Sequence, residues 1–173
     1  KIVFSTFPSL EAQVAAISDD IAYNNHDLED GLRAGLFTIK KVSSIPYISE
    51  LINKHFKNIK NFRREIIISQ IVRDLINSMV VNVINTTNKN LKKSSPQSIN
   101  DIYKQDCLIV DFSDKMKKID RQIKYFLKRN MYNHKKVVVN TNRGKRIIND
   151  LFKYMLKNPR KYIEENLFKS EQK

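Results

Sequence analysis

Glycine occurs three times, proline four times and cysteine once in these 173 residues. Sheet proteins use glycine and proline for turns, so their scarcity favours long helices joined by few connections. The single Cys107 excludes an internal disulfide framework and a multi-cysteine metal site. With no basic neighbour and no histidine partner in sequence, it is expected to be buried and inert. No apolar run looks long enough to cross a bilayer, and no charged-then-apolar leader is present. The expectation is a cytoplasmic protein without a membrane partner.

A second scarcity is local. The chain carries 32 Lys and Arg against 18 Asp and Glu, a formal charge of +14, yet residues 2–32 contain neither Lys nor Arg. Composition predicts roughly six in such a window. In their place stand Glu11, Asp19, Asp20, Asp27, Glu29 and Asp30. The rest of the chain is basic, which invites a nucleic-acid reading. Lys, Asn and Ile are all abundant, however, a skew that a biased genome can impose without selection for charge.

The length suits one ordinary domain with a real core. The chain opens KIVFSTFPS, without an initiator Met, and enters a strong pattern within ten residues. That opening predicts the C-terminal portion of a longer protein. Ser9 is the expected cap of a first helix, with Glu11 in its first turn and Gly35 ending it, although Gly31 offers a place to divide it. A short helix is expected over 47–56, and a long one over about 58–91, where Phe62, Ile66, Ile67, Val72, Leu75, Ile76, Met79, Val80 and Val83 recur at threes and fours. KKSSPQS at 92–98 is the best break, and DCLIVDFS at 106–113 reads as an extended connection. Ser113 then caps a helix to about 132. KKVVVN at 135–140 is the one candidate strand, Thr141 caps a last helix stopped near Pro159, and a short amphipathic helix is expected from 161. The fold class expected is all-α, divided as 1–92 and 93–173 with the second region packed on the first.

On the first helix Val14, Ile17, Ile21, Leu28 and Leu32 form a core stripe at 100° per residue. Asp19, Tyr23, His26, Asp27 and Asp30 fall on the other side, continued by the small residues Ala12 and Ala16. A helix with an apolar stripe on one side and small residues on the other looks buried on both. Buried carboxylates must be paired, protonated or bound to a cation. A hard divalent ion is one partner; basic groups from elsewhere in the fold are another, and a solvated face is the third reading.

The run PSLEAQVAAISDDIAYNNHDLEDGLRAGLF at 8–37 resembles the helix that closes the active site of HD-domain deoxynucleoside triphosphate triphosphohydrolases, including the bacterial deoxyguanosinetriphosphate triphosphohydrolase-like proteins. LINSMVVNVI at 75–84, FSDKMKKIDRQIKYFLKRNMYNHKKV at 112–137 and RIINDLFKYMLKNP at 146–159 extend the resemblance more loosely. It implies a helical HD-domain-like fold: the end of that domain followed by a C-terminal helical region. It also implies a divalent-metal-dependent cleavage of a dNTP, dGTP being the customary substrate, to deoxynucleoside and triphosphate. Such proteins form homo-oligomers, some activated by a dNTP. By this resemblance Asp19 is the last ligand of the metal, and Tyr23 and Asp27 lie against the deoxyribose. His26-Asp27 is a literal His-Asp pair, but it falls in the closing helix and not at the family's metal pair. The upstream His and His-Asp ligands are missing here, and one Asp cannot hold a catalytic divalent ion with useful affinity, so these residues alone are expected to be inactive. Asp20 is a further departure, since some relatives carry a basic, phosphate-contacting residue there.

Two other readings remain open at this stage. One is a basic helical module that binds single-stranded nucleic acid, with the acidic helix merely structural. The other is a degenerate homologue kept for assembly. Arg63 or Arg64 in NFRRE could face a triphosphate or an effector nucleotide, while NTNRGKR lacks the spacing of a phosphate-cradling loop.

Overall fold

The computed structural model describes residues 6–56 and 62–162 and is all-α, with no strand among them. Helix α1 spans Leu10–Arg33. The Ser9 side chain accepts the Ala12 N–H at 3.3 Å, satisfying one of the amides that a helix start leaves without a partner. At the other end Gly35 takes a left-handed φ of 68°, its N–H reaches the Leu32 carbonyl, and the Leu36 N–H reaches Gly31. The Arg64 guanidinium also donates to the Leu32 carbonyl, placing a cation at the negative end of the helix. Arg64 is therefore committed to α1. Gly31 does not divide the helix. It is buried because the Phe37 ring occupies the space that a side chain would fill.

Three of the next elements follow from local signals. Thr38 caps the short α2, Ile39–Val42. Pro46 at the first position opens α3, Pro46–His55, as expected. α4 spans Arg64–Ser94; its expected start near 58 lies partly outside the described residues, and Phe62 and Arg63 are not helical. Phe62 instead meets Phe56 edge-on, with ring centroids 4.8 Å apart. Ser95, left-handed at φ 40°, stops α4 at the break foreseen in KKSSPQS. A one-turn helix not foreseen, α5 (Ile99–Tyr103), follows a capping box of Ser98 and Asp101. Residues 106–113, expected as an extended connection, form an irregular one with bends at 106–107 and 109–110, and Ser113 caps α6, Asp114–Leu127, which continues as a π-helical turn over Lys128–Tyr132.

The expected strand at 135–140 is helix. α7 spans Lys135–Lys157 and starts six residues before Thr141. His134 is its cap, its ring accepting the Lys136 N–H at 3.3 Å, and the three valines run on in helical conformation. The β preference of Val is a context effect of about 1 kcal/mol at most, which a capped helix overrides. The helix expected from 161 falls mostly outside the described residues.

The chain forms two compact units, Lys1–Met131 and Tyr132–Lys173. This division lies within the second of the two regions read from the sequence. In the first unit α1 packs on α4 and on α6, and α3 packs on α4. Leu28 and Leu32 of α1, Ile67, Ile68, Ile71, Leu75 and Met79 of α4, and Ile123 and Leu127 of α6 are essentially inaccessible. Complete burial of one such side chain contributes roughly 1.5–3 kcal/mol. Phe37 meets Phe126 edge-on at 4.9 Å and closes the core beside Gly31.

The expectation that no apolar stretch suffices to cross a bilayer needs correction. By length and composition α4 is long and apolar enough. Ile67, Ile68, Ile71, Val72, Leu75 and Met79 are buried in the core of the first unit, whereas Ile66, Val80, Val81 and Ile84 are exposed, and Gln70, Arg73, Asp74 and Asn77 interrupt the stretch.

Candidate functional site

The first helix turns two dissimilar faces outward from one axis. Ile21, Asn24, Asn25, Leu28, Gly31 and Leu32 are buried, together with Gln13. By helical geometry the face carrying Asp19, Tyr23 and Asp27 is centred about 135° away. There Ala12, Ala16, Asp19, Tyr23, His26 and Asp30 are exposed and Asp27 is half-buried. The expectation that this side is also buried is therefore corrected. Its small residues admit close approach, but among the described residues nothing covers it. Even Val14, placed in the core stripe by periodicity, is 48% exposed.

Asp19, Tyr23 and Asp27 recur at every fourth residue, which sets them in a row with about 6 Å between successive positions. Asp19 has no hydrogen bond or ion pair among the described residues. Tyr23 is 58% exposed, so its ring and hydroxyl stand in solvent reach. A carboxylate, a phenol and a second carboxylate on one open face offer acceptors, one donor and one aromatic surface. The row as a whole is polar. It does not by itself suit a metal. Among the described residues no three His, Cys, Asp or Glu side chains come together to hold one, and Asp19 supplies a single carboxylate. His26 is exposed on the same face and brings no partner ligand.

Two other acids of the island, Glu29 and Asp20, have cationic partners, the alternative left open by the sequence. Arg33 binds Glu29 through both Nε and Nη2, at 2.9 and 2.6 Å. Lys124 of α6 binds Asp20 at 2.9 Å and Asp120 at 3.0 Å. Asp120 is 8% exposed, and its other oxygen accepts from the buried Asn24 amide at 3.3 Å. Burial works against the charged Lys124 ammonium, but its hydrogen bonds to Asp20 and Asp120 outweigh this and hold its pKa above the ordinary lysine value. Gln13 ties the start of α1 to the 106–113 connection: its carbonyl accepts the Ile109 and Val110 N–H groups at 2.9 and 3.0 Å.

Sequence reasoning missed Lys124, Asp120, Asn24 and Gln13. The pairs Asp20/Asn24 and Asp120/Lys124 each recur at i,i+4, the one signal available, but nothing local joins positions about a hundred residues apart. Cys107, expected buried, is exposed.

Comparison with known proteins places the chain. Residues 110–173 match the phosphohydrolase-associated domain family. The chain is 45% identical over 172 residues, 99% of its length, to the deoxyguanosinetriphosphate triphosphohydrolase-like protein of Pelagibacter ubique, of which it covers 46%. It is 39% identical over 157 residues to the protein of that name from Bradyrhizobium diazoefficiens, covering 89% of this chain and 38% of the relative. The Brucella ovis protein of that name is 39% identical over 151 residues, 86% of this chain and 37% of the relative. The chain thus spans less than half the length of these curated relatives and matches their C-terminal part. It is a relative of the deoxyguanosinetriphosphate triphosphohydrolase-like proteins, the resemblance that residues 8–37 carried.

Proposed function

We propose, starting from that relationship, that this chain is the C-terminal part of a deoxynucleoside triphosphate triphosphohydrolase, with dGTP the first substrate to test. The complete protein would release deoxynucleoside and inorganic triphosphate. In this reading α1 is one wall of the active site. Asp19 gives one oxygen ligand to a divalent cation, Mg²⁺ or Mn²⁺, whose other ligands are supplied outside these residues. Tyr23 and Asp27, one and two turns along, face the deoxyribose, where the phenol stacks or donates and the carboxylate accepts from a hydroxyl. These residues alone do not complete the cation site, so no chemical step is derived from them and this chain alone is expected to be inactive.

The observation that carries the reading is the open row itself. In a chain of charge +14, three polar groups recur at a four-residue spacing, Asp19 and Tyr23 exposed and Asp27 half-buried, on a helix whose opposite face is a packed core. A merely solvated face in such a chain would be expected to carry lysine, as the surfaces of α6 and α7 do. A self-associating complete protein, with a dNTP as activator, belongs to the same proposal, and weak nucleic-acid binding through the basic surface is its minor companion.

The test uses the complete gene product with each dNTP, singly and mixed, in Mn²⁺. Deoxynucleoside and tripolyphosphate are expected in equal amounts. Asp19→Ala is expected to lower the rate by more than the roughly 10–100-fold that loss of a group supporting a metal ligand costs, since here the ligand itself is removed. Wild-type turnover in Asp19→Ala would overturn the assignment of Asp19. No hydrolysis of any dNTP would overturn the activity, leaving a scaffold or nucleic-acid binder.

A further inference from the structure

The site row has no direct support from α4, which packs on the other side of α1. Near its start α1 is also weakly held on its apolar side, since Val14 is exposed, Ile17 half-buried, and Ile21 the first buried apolar residue. What fixes the angular setting of residues 19–23 must then include α6. The contact there is polar. Asp20 and Asn24, one turn apart on α1, meet Asp120 and Lys124, one turn apart on α6.

The register of this contact matters. Asp19 immediately precedes Asp20, and Tyr23 immediately precedes Asn24. These two of the three proposed site residues therefore sit one position, or 100° of helix, from a residue held by α6. A rotation of α1 by about 20° would move a carboxylate ~6 Å from the axis by about 2 Å. Misplacement of that size is enough to cost a reaction on the order of a hundredfold.

We propose that Lys124 is a positioning residue for the site face of α1, holding Asp19 and Tyr23 in angular register through Asp20 and Asp120. This inference rests on the reading of that face as part of a dNTP hydrolysis site. Lys124 is suited to the role because its ammonium satisfies two carboxylates from different helices at once. Asp120 is the buried member. Without Lys124 its charge keeps only the Asn24 amide, and the contact must open or rearrange to hydrate it. The side chain stays charged across the ordinary pH range, so the clamp is permanent and not a switch.

The experiment measures kcat, KM and thermal midpoint in the complete protein for Lys124→Met, Lys124→Arg, Asp20→Asn and the double variant Asp20→Asn/Lys124→Met. Lys117→Met is the control: it removes another ion pair of α6, with Asp111, which lies beside α1 but makes no hydrogen bond or ion pair to that helix among the described residues. Lys124→Met is expected to lower kcat about tenfold or more, with KM changed less, and Lys124→Arg to restore most of it. Asp20→Asn is expected to lower kcat similarly, and the double variant to be no worse than the worse single, since both remove one clamp. Lys117→Met is expected to leave kcat unchanged. Wild-type kcat in Lys124→Met, a loss shared by Lys117→Met, or no recovery in Lys124→Arg at unchanged thermal midpoint each overturns the positioning role while leaving the activity standing. A wild-type protein that hydrolyses no dNTP overturns the reading of the site and this inference with it.

Discussion

Helices α1 and α7 are nearly equal in length, 24 and 23 residues, and both carry one apolar stripe by sequence. In α1 the stripe is a core: Ile21, Leu28 and Leu32 are buried against α4 and α6. In α7, within its own unit, no residue is buried, and Ile147, Ile148, Leu151 and Phe152 are all more than half exposed. Amphipathicity states that a helix can bury one face; it does not state that the face has found a partner. The polar faces differ as well. That of α1 is acidic, and part of it is held by Lys124 and Arg33, while that of α7 carries Lys135, Lys136, Arg143, Lys145, Arg146, Lys153 and Lys157 against Asp150.

The sharpest test of this contrast is a pair of truncations read by denaturant unfolding. Leu28→Ala is expected to cost about 2–5 kcal/mol, the range for emptying a fully enclosed leucine site. Ile148→Ala, at a residue 69% exposed, is expected to fall within about 0.5 kcal/mol of the wild type. A loss at Ile148 comparable to that at Leu28 would break the comparison, because it would require the α7 stripe to be covered in solution.

Much of α1 was legible because its signals are local. Ser9 caps it, Gly35 ends it, and its core stripe is a matter of spacing. α3 and α6 were read from a proline and a serine for the same reason. What failed was inference from residue type to environment. Ala12 and Ala16 suggested a covered face, yet small residues admit a neighbour without supplying one. Val137–Val139 suggested a strand, and Thr141 a helix start, because β-branching and a hydroxyl are weak local votes that the earlier cap at His134 outweighs. The candidate row Asp19, Tyr23 and Asp27 was legible as a pattern. The lysine that steadies it was not, since α6 begins ninety residues further on and only the packing brings the two helices together.

A smaller effect separates α1 from α7 at their glycines. Gly31 and Gly144 both lie inside helices, where alanine is ordinarily preferred by about 1 kcal/mol. At Gly144 the space beside the backbone is open, so Gly144→Ala is expected to stabilise by up to that amount. At Gly31 an added methyl meets the Phe37 ring, which itself packs on Phe126. Gly31→Ala is therefore expected to destabilise by about 1–3 kcal/mol, the usual cost of overfilling a packed site. Equal and favourable changes at both would show that the Phe37 ring moves aside freely and that the end of α1 is not a tight core.

The smallest effect concerns the two helix starts under acid. The first turn of α1 holds Glu11, whose carboxylate is kept below the usual glutamate value by a hydrogen bond from its own backbone N–H and by the Ser9 side chain. The first turn of α7 holds Lys135 and Lys136 and no acid, the opposite of what the helix dipole favours. A carboxyl group whose folded pKa is depressed contributes stability that is present above its unfolded pKa, about 4.3, and is lost as pH falls through the lower folded value. Amide exchange at Ala12 and Gln13 is thus expected to quicken as pH drops below about 4, after correction for intrinsic exchange, while the amides at Val137 and Val138 keep their protection. Glu11→Gln should remove the dependence at α1 and leave its capping bond from Ser9. If both helix starts loosen together, the acid response is global and Glu11 is no more than a solvated side chain; if only α1 does, one carboxylate next to one serine is what distinguishes how the two helices begin.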